Sequence, residues 1–189
     1  MQTVEPIRDQ KKLEVMKKYL RGHNIRDYVL FVLGINTGLR IKDLLRLRVV
    51  DVLDSKAKIV DRIYIHESKT GKEKIFRINE TAAKALKELL AETMLRDGDY
   101  LFKSREGKNK PLTTTQVNNI ITAAARAVGV KEKIGATTLR KTFGYHARKK
   151  GVPIEVLMRI FNHSWPGITQ RYIGISQDEL EEVYINLNI

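Results

Sequence analysis

Tyr172 stands nine residues after His163 and directly after Arg171, in the run Asn162-His163-Ser164-Trp165-Pro166-Gly167-Ile168-Thr169-Gln170-Arg171-Tyr172. A phenol among cations is a candidate nucleophile, because positive neighbours favour the phenolate over a phenol whose ordinary pKa is about 10. Alone, the run says little. Three upstream motifs give it company.

Thr37-Gly38-Leu39-Arg40 places an arginine just after a glycine turn and at the start of a helix, where guanidinium and helix N-terminus both favour an anion. Asp43 follows at i+3, a spacing that would hold Arg40 in one rotamer. A solvated Arg–Asp pair of little energetic consequence has the same spacing. Glu67-Ser68-Lys69-Thr70-Gly71-Lys72 puts lysines on a hairpin turn, from which a lysine can enter a DNA minor groove or protonate a leaving oxygen. An isolated turn lysine is more commonly just solvated. Thr138-Leu139-Arg140-Lys141-Thr142-Phe143-Gly144-Tyr145-His146 supplies a second arginine early in a helix. Two guanidinium forks can bind the non-bridging oxygens of one phosphodiester, doing electrostatic work often assigned to a divalent metal.

The elements that must position these groups follow from periodicity and caps. Leu13, Val15, Met16, Tyr19 and Leu20 recur on a helical period from about Asp9 to Leu20. Asn24 can cap a second helix that stops at Asn36-Thr37-Gly38, and Leu39 opens a short third helix through about Leu47. Residues 58–65 and 73–78 read as strands joined across the 68–72 turn, and Asn79 caps a long helix over roughly 80–94. Tyr100-Leu101-Phe102 reads as a short strand and 104–111 as a polar basic loop. Helices are expected over 114–128, 138–150 and 154–161. Ser176 and Glu179 have capping-box spacing before the stripe Leu180, Val183, Tyr184 and Leu187, so a tail helix is expected over 176–189. The fold class is therefore α+β, mainly α: one helical domain over 1–189 with a small antiparallel sheet.

Composition limits the chemistry further. The formal charge is +13, from 35 Lys+Arg against 22 Asp+Glu, a footprint for a polyanion as well as for a highly soluble surface. Cysteine is absent, which excludes disulfides and thiolate metal sites. The histidines at 23, 66, 146 and 163 show no i,i+4 ligand pairing, which disfavours a metal site. No apolar signal segment opens the chain, and the longest apolar run, Tyr28 to Ile35, is too short for a bilayer. A soluble intracellular protein, cytoplasmic and with no membrane association, is expected.

In order and spacing, Thr-Gly-Leu-Arg, Ser-Lys-Thr-Gly, Leu-Arg-Lys-Thr-Phe and Asn-His-Ser with its tyrosine resemble the tyrosine recombinase (phage integrase) family, from about residue 25 to 175. The resemblance implies a site-specific DNA recombinase for integration, excision or inversion, acting through a 3′-phosphotyrosyl intermediate without ATP, metal or other cofactor. By position it makes Tyr172 the nucleophile, Arg40 and Arg140 the phosphate clamp, Lys69 the general acid on the 5′-oxygen and His163 a phosphate hydrogen-bonding group. Asp43 would orient Arg40, and Lys42, Lys72, Lys141 and Arg171 would contact DNA. The expected partner is double-stranded DNA, bound by a homo-oligomer (a tetrameric synapse) built from free monomers, with accessory DNA-bending proteins as further partners. In such proteins a tail helix either covers its own core or docks on a neighbouring protomer.

Two features depart from the family. The residue three before the second arginine is usually His or Lys and here is Thr137, which can donate a hydrogen bond but cannot serve as a base near neutral pH. His146 is a poor substitute, lying about 240° around a regular helix from Arg140 whereas position 137 lies about 60° away. Slower cleavage is the expectation. The second departure is that only about twenty-five residues precede the first match, so the chain reads as a stand-alone catalytic domain with no N-terminal core-binding domain. Weak, salt-sensitive DNA binding that improves on assembly follows. Two other readings use the same residues: a non-catalytic DNA-binding accessory protein with a degenerate site, and a type IB topoisomerase-like relaxing activity.

Overall fold

The first helix, α1 (Gln10–His23), begins where the Asp9 side chain accepts from Lys11 N at 2.7 Å. Asn24 serves two helices. Its backbone N–H closes α1 on the Leu20 carbonyl, and its side chain accepts from Arg26 N and Asp27 N to start α2 (Ile25–Thr37). These are the first residues of the computed structural model to show regular structure; it describes residues 4–69, 71–175 and 184–185.

The centre of the fold is α2. Val29, Leu30, Phe31, Val32 and Leu33 are all fully buried, each such side chain being worth roughly 1.5–3 kcal/mol of transfer free energy. Around it pack α1, α5 (Glu80–Glu92, capped by Asn79) and α7 (Thr138–Lys149). The crossing with α7 is close because Gly34 lacks a side chain: a Cβ there would lie 2.5 Å from Leu139 Cδ1. The helix ends at Gly38, in the left-handed region at φ 63°, with Phe143 packed over it.

Beyond Gly38 the chain departs from the single helix expected through Leu47. Two one-turn helices, α3 (Ile41–Leu44) and α4 (Val49–Val52), lie either side of a turn that buries Leu44, Leu45 and Leu47. The sheet has two antiparallel strands, β1 (Arg62–His66) and β2 (Glu73–Arg77), with Arg62 opposite Arg77 and His66 opposite Glu73. The facing pair Ile63 and Phe76 points into the core. Tyr100 makes only an isolated bridge to Arg48, so the strand expected at 100–102 reduces to a single pairing. The mainly helical α+β class with a small antiparallel sheet holds.

After α6 (Thr114–Ala127, opened by a Thr113–Gln116 capping box) comes α7, whose other side carries a separate apolar cluster. There α8 (Ile154–Phe161) and α9 (Pro166–Ile173) bury Leu157, Phe161 and Ile173 away from the main core. Gly144 is the close approach: a Cβ on it would come within 2.5 Å of Ile173 and 2.7 Å of Phe161. Residues 4–8 cross the outside of α7 as a strap. Ile7 N donates to Thr142 Oγ1 at 2.9 Å, Lys141 Nζ donates to Val4 O at 2.8 Å, and Arg8 reaches Gly174 O at 3.1 Å. The tail helix expected over 176–189 lies outside the described residues, apart from Tyr184 and Ile185. No helix among the described residues is long and apolar enough to cross a membrane.

Candidate active site

Arg40, Lys42, Lys69, Thr137, Arg140, Asn162, His163 and Tyr172 line one cavity of about 590 Å³, drawn from five separate stretches of chain. Arg140, near the start of α7, is 5% exposed and donates to the carbonyls of Gly38 and, at 2.9 Å, Phe161. Its guanidinium lies 4.6 Å from the centre of the Phe161 ring. Arg40 donates to the same Phe161 carbonyl at 3.3 Å. A third cation converges on this point: Lys74 of β2 donates to the Ile160 carbonyl. The carbonyls at a helix C-terminus lack intrahelical partners and carry partial negative charge, so the end of α8 gathers the cations that would otherwise repel one another.

Phe161 joins the two arginines to Tyr172. Its ring packs edge-on to Tyr172 at 5.4 Å and tilted to His163 at 5.5 Å, while His163 and Tyr172 are themselves 5.2 Å apart. The next residue, Asn162, ends α8 at φ 54°, a left-handed conformation that asparagine tolerates better than other side-chain-bearing residues. That turn reverses the chain so that His163 faces the cavity. Pro166 then opens α9 at a position where its missing N–H costs nothing, and Tyr172 falls in the last turn.

The phenol is not poised as its charged neighbours alone would suggest. Burial raises the Tyr172 pKa above its ordinary value, and the nearby charge of Arg140 only partly opposes this. Tyr172 is therefore a protonated phenol at neutral pH. His163 is pushed down, first by burial and then by Arg140, Arg40 and Lys69, so its imidazole is neutral. Its Nδ1 lies 3.0 Å from the buried Thr169 hydroxyl.

Two expectations need correction. Asp43 does not orient Arg40. Its Oδ1 accepts from Ser68 N at 2.8 Å and so pins the turn carrying Lys69, while Arg40 Nη1 pairs with Glu67 Oε1 at 2.8 Å. The i+3 argument fails because Arg40 precedes α3 in an extended conformation, φ −68° and ψ 143°, where helical adjacency does not apply. Nor does Lys141 face outward for DNA. It is 7% exposed, bonded to Val4 O and seated 5.3 Å from the Tyr172 ring. Lys42, Lys69, Lys72, Thr137 and Arg171 are exposed. His146 is turned away from the cavity, its Nε2 2.9 Å from Ile7 O. Glu67, Lys74, Phe161 and Asn162 belong to the site or its frame without having been singled out by spacing.

A family model described as the Phage integrase family matches residues 8–179, and the chain belongs to that family of tyrosine recombinases. Over 184 residues it is 42% identical to a probable integrase/recombinase, YoeC, of Bacillus subtilis, covering 97% of each chain. It is 32% identical over 167 residues to tyrosine recombinase XerC of Thermodesulfovibrio yellowstonii, covering 84% of this chain and 53% of that protein. The chain thus spans nearly all of the first relative and about half of the second. Its fold matches the crystal structure of XerA recombinase with a TM-score of 0.77 at 23% identity, covering 99% of this chain and 67% of the other. XerH site-specific recombinase, in a post-cleavage complex with a palindromic difH substrate, matches with a TM-score of 0.74 at 18% identity, over 98% of this chain and 54% of that one. At these identities the structural likeness is one of fold.

Proposed function

We propose that this protein is a site-specific DNA recombinase that cuts and rejoins strands through Tyr172. One observation carries the reading: the phenol shares a single cavity with Arg140, Arg40, Lys69 and His163. In the reaction the Tyr172 oxygen attacks phosphorus as its proton passes to solvent, the bond to the 5′-oxygen breaks, and a 3′-phosphotyrosyl link replaces it. Lys69 gives the departing 5′-oxygen its proton. Arg40 and Arg140 hold the non-bridging oxygens and offset charge as it develops. The 5′-hydroxyl of a partner strand then reverses these steps. One phosphodiester is exchanged for another, so no energy source enters the balance.

His163, neutral and with Nδ1 against Thr169, presents its other nitrogen for a phosphate hydrogen bond. Thr137 puts no base at the position three before Arg140, which slows cleavage without preventing it. The substrate is double-stranded cytoplasmic DNA, bound along the exposed basic residues Lys42, Lys72 and Arg171 and exchanged within a homo-oligomeric, tetrameric synapse formed from monomers, with DNA-bending proteins as accessories.

A nicked suicide duplex, carrying a sequence selected from random DNA by binding, tests the reading. Covalent protein–DNA adduct with the wild type, and none with Tyr172→Phe, is the expected result. Binding without adduct would leave a DNA-binding protein, and relaxation of supercoiled DNA lacking the site would point to a topoisomerase.

A further inference from the structure

Arg40 and Lys69 sit on different segments, one before α3 and one in the β1–β2 turn, yet both must meet the same phosphate. Glu67 is the residue common to their surroundings. Its carboxylate is 5% exposed and lies 2.8 Å from Arg40 Nη1 and 3.3 Å from Lys74 Nζ. Its backbone closes the turn: Glu67 N donates to Lys72 O at 2.9 Å, and Gly71 N donates to Glu67 O at 2.8 Å. Asp43 adds a second fastening to this turn through Ser68 N.

The charges explain why an acid is needed here. Arg40, Lys74 and Arg140 interact electrostatically with one another beneath the cavity, and all three also interact with Glu67. A buried guanidinium without a counter-charge swings toward water, and its fork loses its aim. The Arg40–Glu67 contact is an ion pair at an angle that misses a good hydrogen bond, so attraction more than directionality sets the side chain's place. The Phe161 carbonyl fixes the other end of the fork.

We infer that Glu67 is the positioning residue of the phosphate clamp: it holds the Arg40 guanidinium against the end of α8 while its own backbone fixes the turn bearing Lys69. One residue thereby sets the distance between clamp and acid. The inference rests on the recombinase reading, and wild-type adduct on the nicked suicide duplex is its precondition. If the wild type forms none, the failure is that of the parent reading.

The test is single-turnover cleavage of that duplex by the full chain, with binding to the uncleaved duplex measured alongside. Glu67→Gln is expected to slow cleavage by about 10- to 100-fold, the scale of a misplaced catalytic group, while changing affinity less than about threefold. Because Lys74 would then be left without its counter-charge, Glu67→Gln/Lys74→Gln removes both partners and spares the fold. Cleavage remains slow in this double variant if Glu67 acts through Arg40. Recovery to the wild-type rate would show that Glu67 serves only to neutralise Lys74, and the inference would fall. Added to Arg40→Ala, Glu67→Gln should cost nothing further; a full additional loss would overturn the inference as well.

Discussion

The two sides of the active site rest on very different foundations. Arg140 rises from α7 beside Leu139, in a core that includes the whole buried stretch from Val29 to Leu33, and Arg40 follows directly from the end of α2. His163 and Tyr172 stand instead on a satellite of three buried side chains, Leu157, Phe161 and Ile173. Regions with few buried apolar contacts open at lower free energy than the main core. The arginine half of the site is therefore built into the main core, whereas Tyr172 rests on a small patch that is expected to open at lower free energy than the fold as a whole.

Substitutions that hollow out each core should separate the two most clearly. Leu33→Ala is expected to lower global stability by about 2–5 kcal/mol, measured by urea unfolding. Leu157→Ala should lower it less, because the loss cannot exceed the free energy of opening α8 and α9 locally. Its signature is faster amide exchange over residues 157–173 with the rest of the pattern unchanged. Equal global losses from both would mean that the satellite and the main core unfold as one.

Gly34 and Gly144 sharpen the same contrast from the other direction. Gly34→Ala forces a methyl against Leu139 and should shift the urea midpoint at a cost of about 1–3 kcal/mol. Gly144→Ala pushes instead on Ile173 and Phe161, so its main effect should be on adduct formation, slowed about 10- to 100-fold with a smaller change in midpoint. A Gly144→Ala protein that cleaves at the wild-type rate would disconnect the satellite's packing from the position of Tyr172.

Chemistry on the nucleophile side should also be improvable. Thr137 is exposed within the cavity, and Thr137→His is expected to raise the cleavage rate about tenfold, a modest part of the usual gain from a positioned acid or base. An unchanged rate would remove Thr137 from the account of slow cleavage.

The smallest effect concerns pH. His163 is held below its ordinary 6.5 in the native state, so unfolded chains take up a proton first as pH falls. Its contribution is complete above about pH 6.5 and declines as pH drops toward the depressed native value. Wild type should lose slightly more stability than His163→Gln between about pH 7 and 5; parallel curves would place the imidazole in an environment like that of the unfolded chain.

Much of this was legible wherever the controlling signal was local. Asn24, Asn79 and Gly38 mark helix ends because a side-chain cap or a left-handed residue acts within a few positions. The helix that carries Tyr172 has no side-chain cap and opens on a proline, so α9 lacks the local signal that marks α2 and α5. The order of motifs marked out Arg40, Lys69, Arg140, His163 and Tyr172 as a set, and the fold gathers them about one cavity. What spacing could not supply were pairings made across the fold. Glu67 meets Arg40 through a turn from another element, and α8's last carbonyls meet three cations from three segments. Lys141 shows the opposite error, since its neighbour Arg140 faces the cavity while a rotation of about 100° sends Lys141 under the strap.

That strap makes the outer end of the chain a loading point. Val4 holds the lysine that lies on the Tyr172 ring, Ile7 is bonded to α7, and Arg8 grips the carbonyl of Gly174, two residues past Tyr172. These fastenings tie residues 4–8 to α7 and to the segment just past Tyr172. A bulky fusion or an immobilising surface attached at the strap is therefore expected to slow adduct formation more than it lowers stability.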